Sequence, residues 1–160
     1  MIEILRLGHR ISRDKRISTH VALVARAFGA DRLFYTGQKD KGLEESVARI
    51  VKKFGGEFSV GYVRGVKDLV KGKTIVHLTM YGADFRKYIG KIKGDILIIV
   101  GGEKVPGEIY EMADYNLGVG NQPHSEVAAL GIFLDHLGKF KKFKGEMEVV
   151  PSLKGKKIFK

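Results

Sequence analysis

Asp95-Ile96-Leu97-Ile98-Ile99-Val100-Gly101-Gly102 is the stretch that decides the fold class. A strand with one wet face alternates apolar and polar side chains. The unbroken run Ile96–Val100 instead predicts a central parallel strand covered on both faces. Outward from it, short β-rich runs alternate with helical patterns along the whole chain. Strands are expected at Ile2–Leu7, Arg32–Thr36, Phe58–Tyr62, Thr74–Leu78, Asp95–Val100 and Tyr115–Val119. Helices are expected at Ser18–Phe28, Glu44–Phe54, Ala83–Ile89, Glu108–Ala113 and Ser125–Leu137. The last is the clearest, with Val127, Leu130, Phe133, Leu134 and Leu137 on one face and Gly138 as a stop. This alternation is the signature of an α/β domain, a mostly parallel sheet flanked by helices.

The 160 residues and 17.8 kDa suit one core, and 44% hydrophobic with 29% charged residues is a globular composition. We expect residues 1–138 to form that domain and residues 139–160 to be a basic extension. Five residues of unbroken apolar sequence are far short of the roughly 20 a membrane span needs, so no membrane role is expected. The N-terminus shows no apolar export segment, and no cysteine is present; both agree with a cytoplasmic protein. With 29 lysines and arginines against 18 acidic residues the net charge is +11, which favours a polyanionic partner. Eight lysines against Glu146 and Glu148 put over half of that excess in residues 139–160. There, Lys139-Phe140-Lys141-Lys142-Phe143-Lys144 interleaves cations with aromatic rings, a composition that can follow an RNA backbone and stack on bases.

Three turns at the C-terminal ends of expected strands carry the chemistry, because open α/β sheets bind ligands at that edge. They are His77-Leu78-Thr79-Met80-Tyr81-Gly82, Gly101-Gly102-Glu103-Lys104-Val105-Pro106-Gly107, and Val119-Gly120-Asn121-Gln122-Pro123-His124-Ser125-Glu126. In the second, glycines without Cβ let backbone approach a ligand, although a plain strand-to-helix turn with Pro106 at the helix start accounts for the same spacing. The phosphate-binding GxxxxGK[ST] and GxGxxG patterns are missing from it, which argues against a nucleotide-binding switch. In the third, Asn121, Gln122, His124, Ser125 and Glu126 exceed the single cap a helix start requires.

Near the N-terminus Arg6, Arg10, Arg13, Lys15 and Arg16 precede a helix, as a solvated basic loop or a grip on RNA phosphates. Arg26 sits in the apolar stretch Val21–Phe28 and needs a partner, either an internal carboxylate such as Glu103 or a ligand. The five histidines, at positions 9, 20, 77, 124 and 136, show no metal-ligand spacing, and no serine-hydrolase elbow occurs. We therefore expect no metal.

Taken in order, the strings LRLGHR, RDKRISTHVALVARAFGA, HLTMYG, GGEKVP and VGNQPHSEVAALGIFLD resemble the SPOUT superfamily of RNA methyltransferases, and within it the archaeal tRNA (cytidine-56) 2′-O-methyltransferases. The likeness runs from about residue 4 to residue 137, with the lysine-rich end outside it. It implies a C-terminal trefoil knot, a homodimer, S-adenosylmethionine as cofactor and tRNA as substrate. By the same resemblance Leu78, Gly101, Gly102, Glu103, Lys104, Val105, Val119, Gly120, Asn121, Gln122, Pro123, His124, Ser125 and Glu126 hold the cofactor. The first motif of the SpoU-like branch, an asparagine followed five residues later by an arginine, falls on His20 and Arg26.

From these we expect Arg26 to orient the target phosphate and stabilise charge on the 2′-oxygen, since a guanidinium is a poor base. His20, near an expected helix start, is the better base by its ordinary pKa. Arg10, Arg13, Lys15 and Arg16, with Lys141 and Lys142, are the expected tRNA phosphate contacts. The competing reading from another class is a non-catalytic, ribosome-associated RNA-binding domain. It leaves the polar 121–126 turn unused.

Overall fold

A computed structural model describes residues 1–102 and 104–160. The order is β1 (Ile2–His9), α1 (Ile11–Ala27), β2 (Arg32–Gly37), α2 (Lys41–Phe54), β3 (Ser59–Tyr62), β4 (Thr74–Asp84), β5 (Ile96–Val100), α3 (Gly107–Met112), β6 (Tyr115–Gly118), α4 (Glu126–Leu137), β7 (Glu148–Val150) and β8 (Lys157–Phe159). Six strands form one sheet in the order β3-β2-β1-β5-β4-β6, and every pairing in it is parallel.

The Ile96–Val100 run is the centre of this sheet and is wholly buried. Ile96, Ile98 and Val100 join Ile4, Val21, Leu43, Val76, Leu130 and Phe133 in the core beneath α1, α2 and α4. Leu97 and Ile99 point the other way, to Leu5, Ile75, Ile109 of α3 and Leu69 of a short 3₁₀ turn. Alternate residues of one strand thus feed two cores, and for that reason none of them is polar.

Two expected helices are corrected. α1 begins at Ile11, well before Ser18, so the arginines read as a loop occupy its first turns. Its cap position, Arg10, offers no capping side chain; instead Asp14 accepts from Arg10 N at 3.0 Å and Gln38 accepts from Ile11 N at 2.8 Å. Ala83–Ile89 is not an α-helix. β4 runs on to Asp84, whose side chain accepts from Arg86 N at 3.1 Å, and two 3₁₀ turns, Phe85–Lys87 and Ile89–Lys91, follow.

β4 and β6 meet in an unusual way. Leu117 is paired with both Leu78 and Ala83, so residues 79–82 loop outward between two contacts with one residue. Gly82 permits this, because a Cβ there would lie 2.5 Å from the Leu117 backbone. Gly118 is also confined, since a Cβ there would lie 2.3 Å from Asn121 Nδ2.

The end of the chain is ordered against the domain. Phe140 packs on Phe28, Lys141 pairs with Asp31, and Met147 N donates to Lys53 O at 2.9 Å. Residues 148–159 then form a small antiparallel hairpin, β7 with β8.

Candidate functional site

Parallel strands place all their C-terminal ends at one edge. The segments leaving β4 at Leu78, β5 at Val100 and β6 at Gly118 enclose a pocket of about 680 Å³ there, a volume suited to a small ligand. Leu78, Gly101, Gly102, Lys104 and Val105 line it from the first two segments; Val119, Gln122, Pro123, His124 and Glu126 line it from the third. The sequence reading also named Gly120, Asn121 and Ser125, which shape the third turn from outside the lining. Gly120 and Asn121 take positive φ of 83° and 49°, and asparagine tolerates that region better than most residues. Asn121 Nδ2 donates to Met80 O at 2.9 Å and Gly82 O at 2.7 Å, tying the turn to the β4 excursion. Ser125 caps α4 by accepting from Val127 N at 3.1 Å. Glu103 lies outside the described residues.

His124 presents both ring nitrogens to carbonyls, Nδ1 to Ser125 O at 3.0 Å and Nε2 to Val119 O at 2.5 Å. Only the imidazolium can donate from both, so these two carbonyls raise the His124 pKa.

Sequence reasoning counted Arg6 with the basic residues before the helix and did not foresee its place beside the pocket. It lies on the α1/α4 face of β1, only 1% exposed, with Nη1 donating to Leu7 O at 2.7 Å and Nη2 at 3.2 Å from Glu126 Oε1. A Cβ on Gly102 would stand 3.3 Å from its Nη1, so this guanidinium abuts the glycine turn of the pocket. Burial lowers the Arg6 pKa while the Glu126 charge opposes that fall. The available signal was an arginine between Leu5 and Leu7 in a strand that is otherwise apolar on that face.

His77 and Thr79, part of the first expected turn though not of the expected cofactor residues, also line the pocket, as does Tyr110, which was not foreseen. The His77 Nδ1 is 2.8 Å from Asn116 Oδ1, and its ring meets Tyr110 edge-on with centroids 4.7 Å apart. Thr79 Oγ1 and Tyr110 Oη are 3.1 Å apart.

Beside the pocket edge, fully buried His9 joins three elements: Nδ1 lies 2.7 Å from Ser18 Oγ of α1, and Nε2 2.9 Å from Asp40 Oδ2 at the α2 cap. For Asp40, burial alone would raise the pKa, but hydrogen bonds from His9 and Leu43 N outweigh it and hold the carboxyl below its usual range. This clamp ties α1 at Ser18 to β1 and to the α2 cap, and Arg10, Arg13, Lys15 and Arg16 lie in the turns before Ser18, at the same edge as the pocket. Arg10 Nε bonds Asp14 Oδ2 at 3.1 Å, whereas Lys15 and Arg16 are exposed.

Arg26 is not brought to the pocket. It belongs to the last turn of α1, at the N-terminal edge of the sheet, where Nη2 donates to Gly55 O at 2.5 Å and the guanidinium stacks 4.4 Å over the Phe143 ring. Among the described residues its partners are a carbonyl and an aromatic ring. His20 is exposed and sits in the middle of α1, about two and a half turns from the helix start near which it was expected. Lys141 is tied to Asp31, which accepts from Ile2 N at 2.6 Å and so marks the edge opposite the pocket; Lys142 is exposed nearby.

Among the described residues no group of three or more His, Cys, Asp or Glu is arranged to hold a metal, and no helix is long and apolar enough to cross a membrane.

Comparison with known proteins gives this edge its context. A family model described as tRNA ribose 2′-O-methyltransferase matches residues 54–159, so the match extends through the lysine-rich end that the sequence strings left out. The tRNA (cytidine(56)-2′-O)-methyltransferase of Thermococcus kodakarensis is 50% identical, covering 99% of this chain and 96% of its own. That of Methanocaldococcus jannaschii is 49% identical over 100% of this chain and 97% of its own. Among solved structures, the TrmH/SpoU tRNA modifying enzyme of A. aeolicus has a TM-score of 0.62 at 20% identity, covering 85% of this chain and 73% of its own. The SpoU methyltransferase AviRb of Streptomyces viridochromogenes, solved in complex with AdoMet, has a TM-score of 0.61 at 13% identity, covering 86% of this chain and 56% of its own.

Proposed function

The chain belongs to the tRNA ribose 2′-O-methyltransferase family of the archaeal cytidine-56 enzymes, and from that premise we propose how its own residues move a methyl group from S-adenosylmethionine to the ribose 2′-hydroxyl of cytidine 56 in tRNA. The observation that carries this reading is the convergence of three strand-end turns on one pocket, with Glu126 in its wall and the buried Arg6 paired to it from behind.

The pocket fits an adenosyl donor. Gly101 and Gly102 expose backbone, Leu78, Val100 and Val105 supply apolar walls, and among the described residues His77 Nε2 in the lining and Arg6 Nε behind the Gly102 turn are buried polar atoms with no partner. The bound donor supplies an electrophilic methyl on a cationic sulfur.

The chain must align the 2′-oxygen with that methyl and manage its proton, and positioning of this kind supplies up to roughly 7–11 kcal/mol. We assign the alignment to Glu126, whose carboxylate accepts the hydrogen bond of the 2′-hydroxyl while Arg6 holds it in place. The Arg6 guanidinium, too basic to serve as a base itself, stabilises negative charge growing on the oxygen. Arg10, Arg13, Lys15 and Arg16 hold the tRNA phosphates around the target. This moves the electrostatic role expected of Arg26 to an arginine at the correct edge of the sheet. Arg26 then serves to fasten residues 139–147 across the ends of α1 and α2.

The double pairing of Leu117 supports a trefoil knot, the 79–84 segment being the loop through which the chain passes. Exposed Met80, Tyr81 and Ile132 support a homodimer with the knotted region at its interface. The tRNA substrate, with the absence of cysteine and of any spanning helix among the described residues, supports a cytoplasmic location.

Labelled S-adenosylmethionine and unmodified tRNA, followed by mapping of the modified nucleotide, test the assignment. The expected product carries one methyl on the ribose of cytidine 56; a methyl on a base, or none, contradicts it.

A further inference from the structure

His77 is the most enclosed titratable side chain in the pocket wall, with 0% exposure, and the methyl-transfer chemistry above gives it no task. Its hydrogen bonds define its tautomer. Asn116 Nδ2 donates to Tyr110 O at 2.9 Å, which turns Asn116 Oδ1 toward the histidine. That oxygen lies 2.8 Å from His77 Nδ1 and can only accept, so Nδ1 carries the hydrogen. Nε2 is left with a bare lone pair, buried and without a partner among the described residues. Burial lowers the His77 pKa and outweighs the opposing Asn116 bond, so the ring is neutral near pH 7.

An acceptor left bare in a dry wall is costly and marks a place where a ligand donor is missing. The surroundings narrow the donor. Leu78, Val100 and Val105 line the pocket together with the Tyr110 ring, which meets His77 edge-on. An ammonium group would lose its hydration among these side chains, whereas a flat aminopurine would keep apolar contact on its faces.

We infer that His77 is a specificity residue for the base of the methyl donor: its Nε2 accepts a hydrogen bond from the exocyclic amino group of adenine. This rests on the S-adenosylmethionine reading of the pocket. The hydroxyl pair Thr79–Tyr110 stiffens the opposite side of the Tyr110 ring and keeps it against the histidine.

Calorimetric titration of the full chain with S-adenosylhomocysteine and with S-inosylhomocysteine tests the assignment. The second ligand replaces the amino group by an oxo group and so offers Nε2 no exocyclic donor. The expected wild-type preference for the adenosyl ligand is about tenfold or more. In folded His77→Phe, adenosyl affinity falls by about tenfold and the preference shrinks to within about threefold. A folded His77→Phe protein that keeps the wild-type preference overturns the proposal. An independent readout needs no variant: in protein labelled with ¹⁵N-histidine, Nε2 of His77 starts unprotonated and shifts upfield when S-adenosylhomocysteine binds, but not when the inosyl ligand does. A protonated Nε2, or no shift, overturns the proposal. If wild-type protein binds neither ligand, it is the donor reading of the pocket that fails, and this inference falls with it.

Discussion

Arg6 Nη2 stands 3.2 Å from Glu126 Oε1, joining the end of β1 to the first residue of α4 across the wall of the pocket. The two side chains differ in exposure, 2% for Arg6 and 24% for Glu126, so the arginine is the buried anchor and the carboxylate the accessible partner. Removing the charge should therefore cost chemistry before it costs donor binding. For Arg6→Met, single-turnover methyl transfer is expected to fall about 10²- to 10³-fold, with affinity for S-adenosylhomocysteine within about threefold. A larger loss in affinity than in rate would place Arg6 in donor binding.

Arg26→Met gives the converse. Loss of the bond to Gly55 O and of the stack on Phe143 should lower stability by about 1–3 kcal/mol, read from a denaturant midpoint. Transfer by the folded fraction should stay within about threefold of wild type. A folded but inactive variant would return the catalytic role to this position.

These two arginines mark where the sequence was legible. Ile96–Val100 revealed the central strand because full burial on two faces leaves no room for a polar residue. The three turns were legible because all follow expected parallel strands, which end at one edge of the sheet, and because the polar side chains of 121–126 exceed what a helix cap needs. Arg26 was expected beside a ligand from its burial within an apolar helix, but such burial reads the same at either end of that helix. The expected helix Ser18–Phe28 already put position 26 in a last turn; what stayed hidden is the start of α1 at Ile11, which lacks a capping residue in sequence, the amides there being served by Asp14 and Gln38. The extension of β4 to Asp84 was hidden too, since it depends on a partner, Leu117, more than thirty residues away.

Gly82 is the point of that extension least able to change. A Cβ 2.5 Å from the Leu117 backbone has nothing flexible to push aside. Gly82→Ala should destabilise by several kcal/mol, seen as lost soluble yield and a thermal midpoint lowered by more than about 8 °C; Gly90→Ala, which meets nothing within 4 Å, serves as the control.

Alkaline stability should expose Tyr35. Burial foremost, with Glu44 and Asp40 close by, pushes its pKa from 10.0 up to about 12. The folded state then keeps a proton that the unfolded state releases, so this contribution is complete below pH 10 and is lost as pH rises toward 12. Urea midpoints measured across that window should fall more steeply for wild type than for Tyr35→Phe. Parallel slopes would contradict the assignment.

The two ends of the sheet should differ toward RNA. Arg16→Ala, at the pocket edge, should reduce the slope of log affinity against log salt for tRNA by about 1. Lys141→Ala should leave that slope unchanged and lower stability slightly, since Lys141 is occupied by Asp31 at the other edge. Filter binding at several salt concentrations distinguishes them.

The most direct measurement is a crystal structure with S-adenosylhomocysteine. The expected density lies against Leu78, Gly101, Gly102 and the Val119–His124 turn, with its sulfur facing the Arg6–Glu126 pair. A ligand bound at the opposite edge beside Arg26, or outside these three turns, would contradict the account.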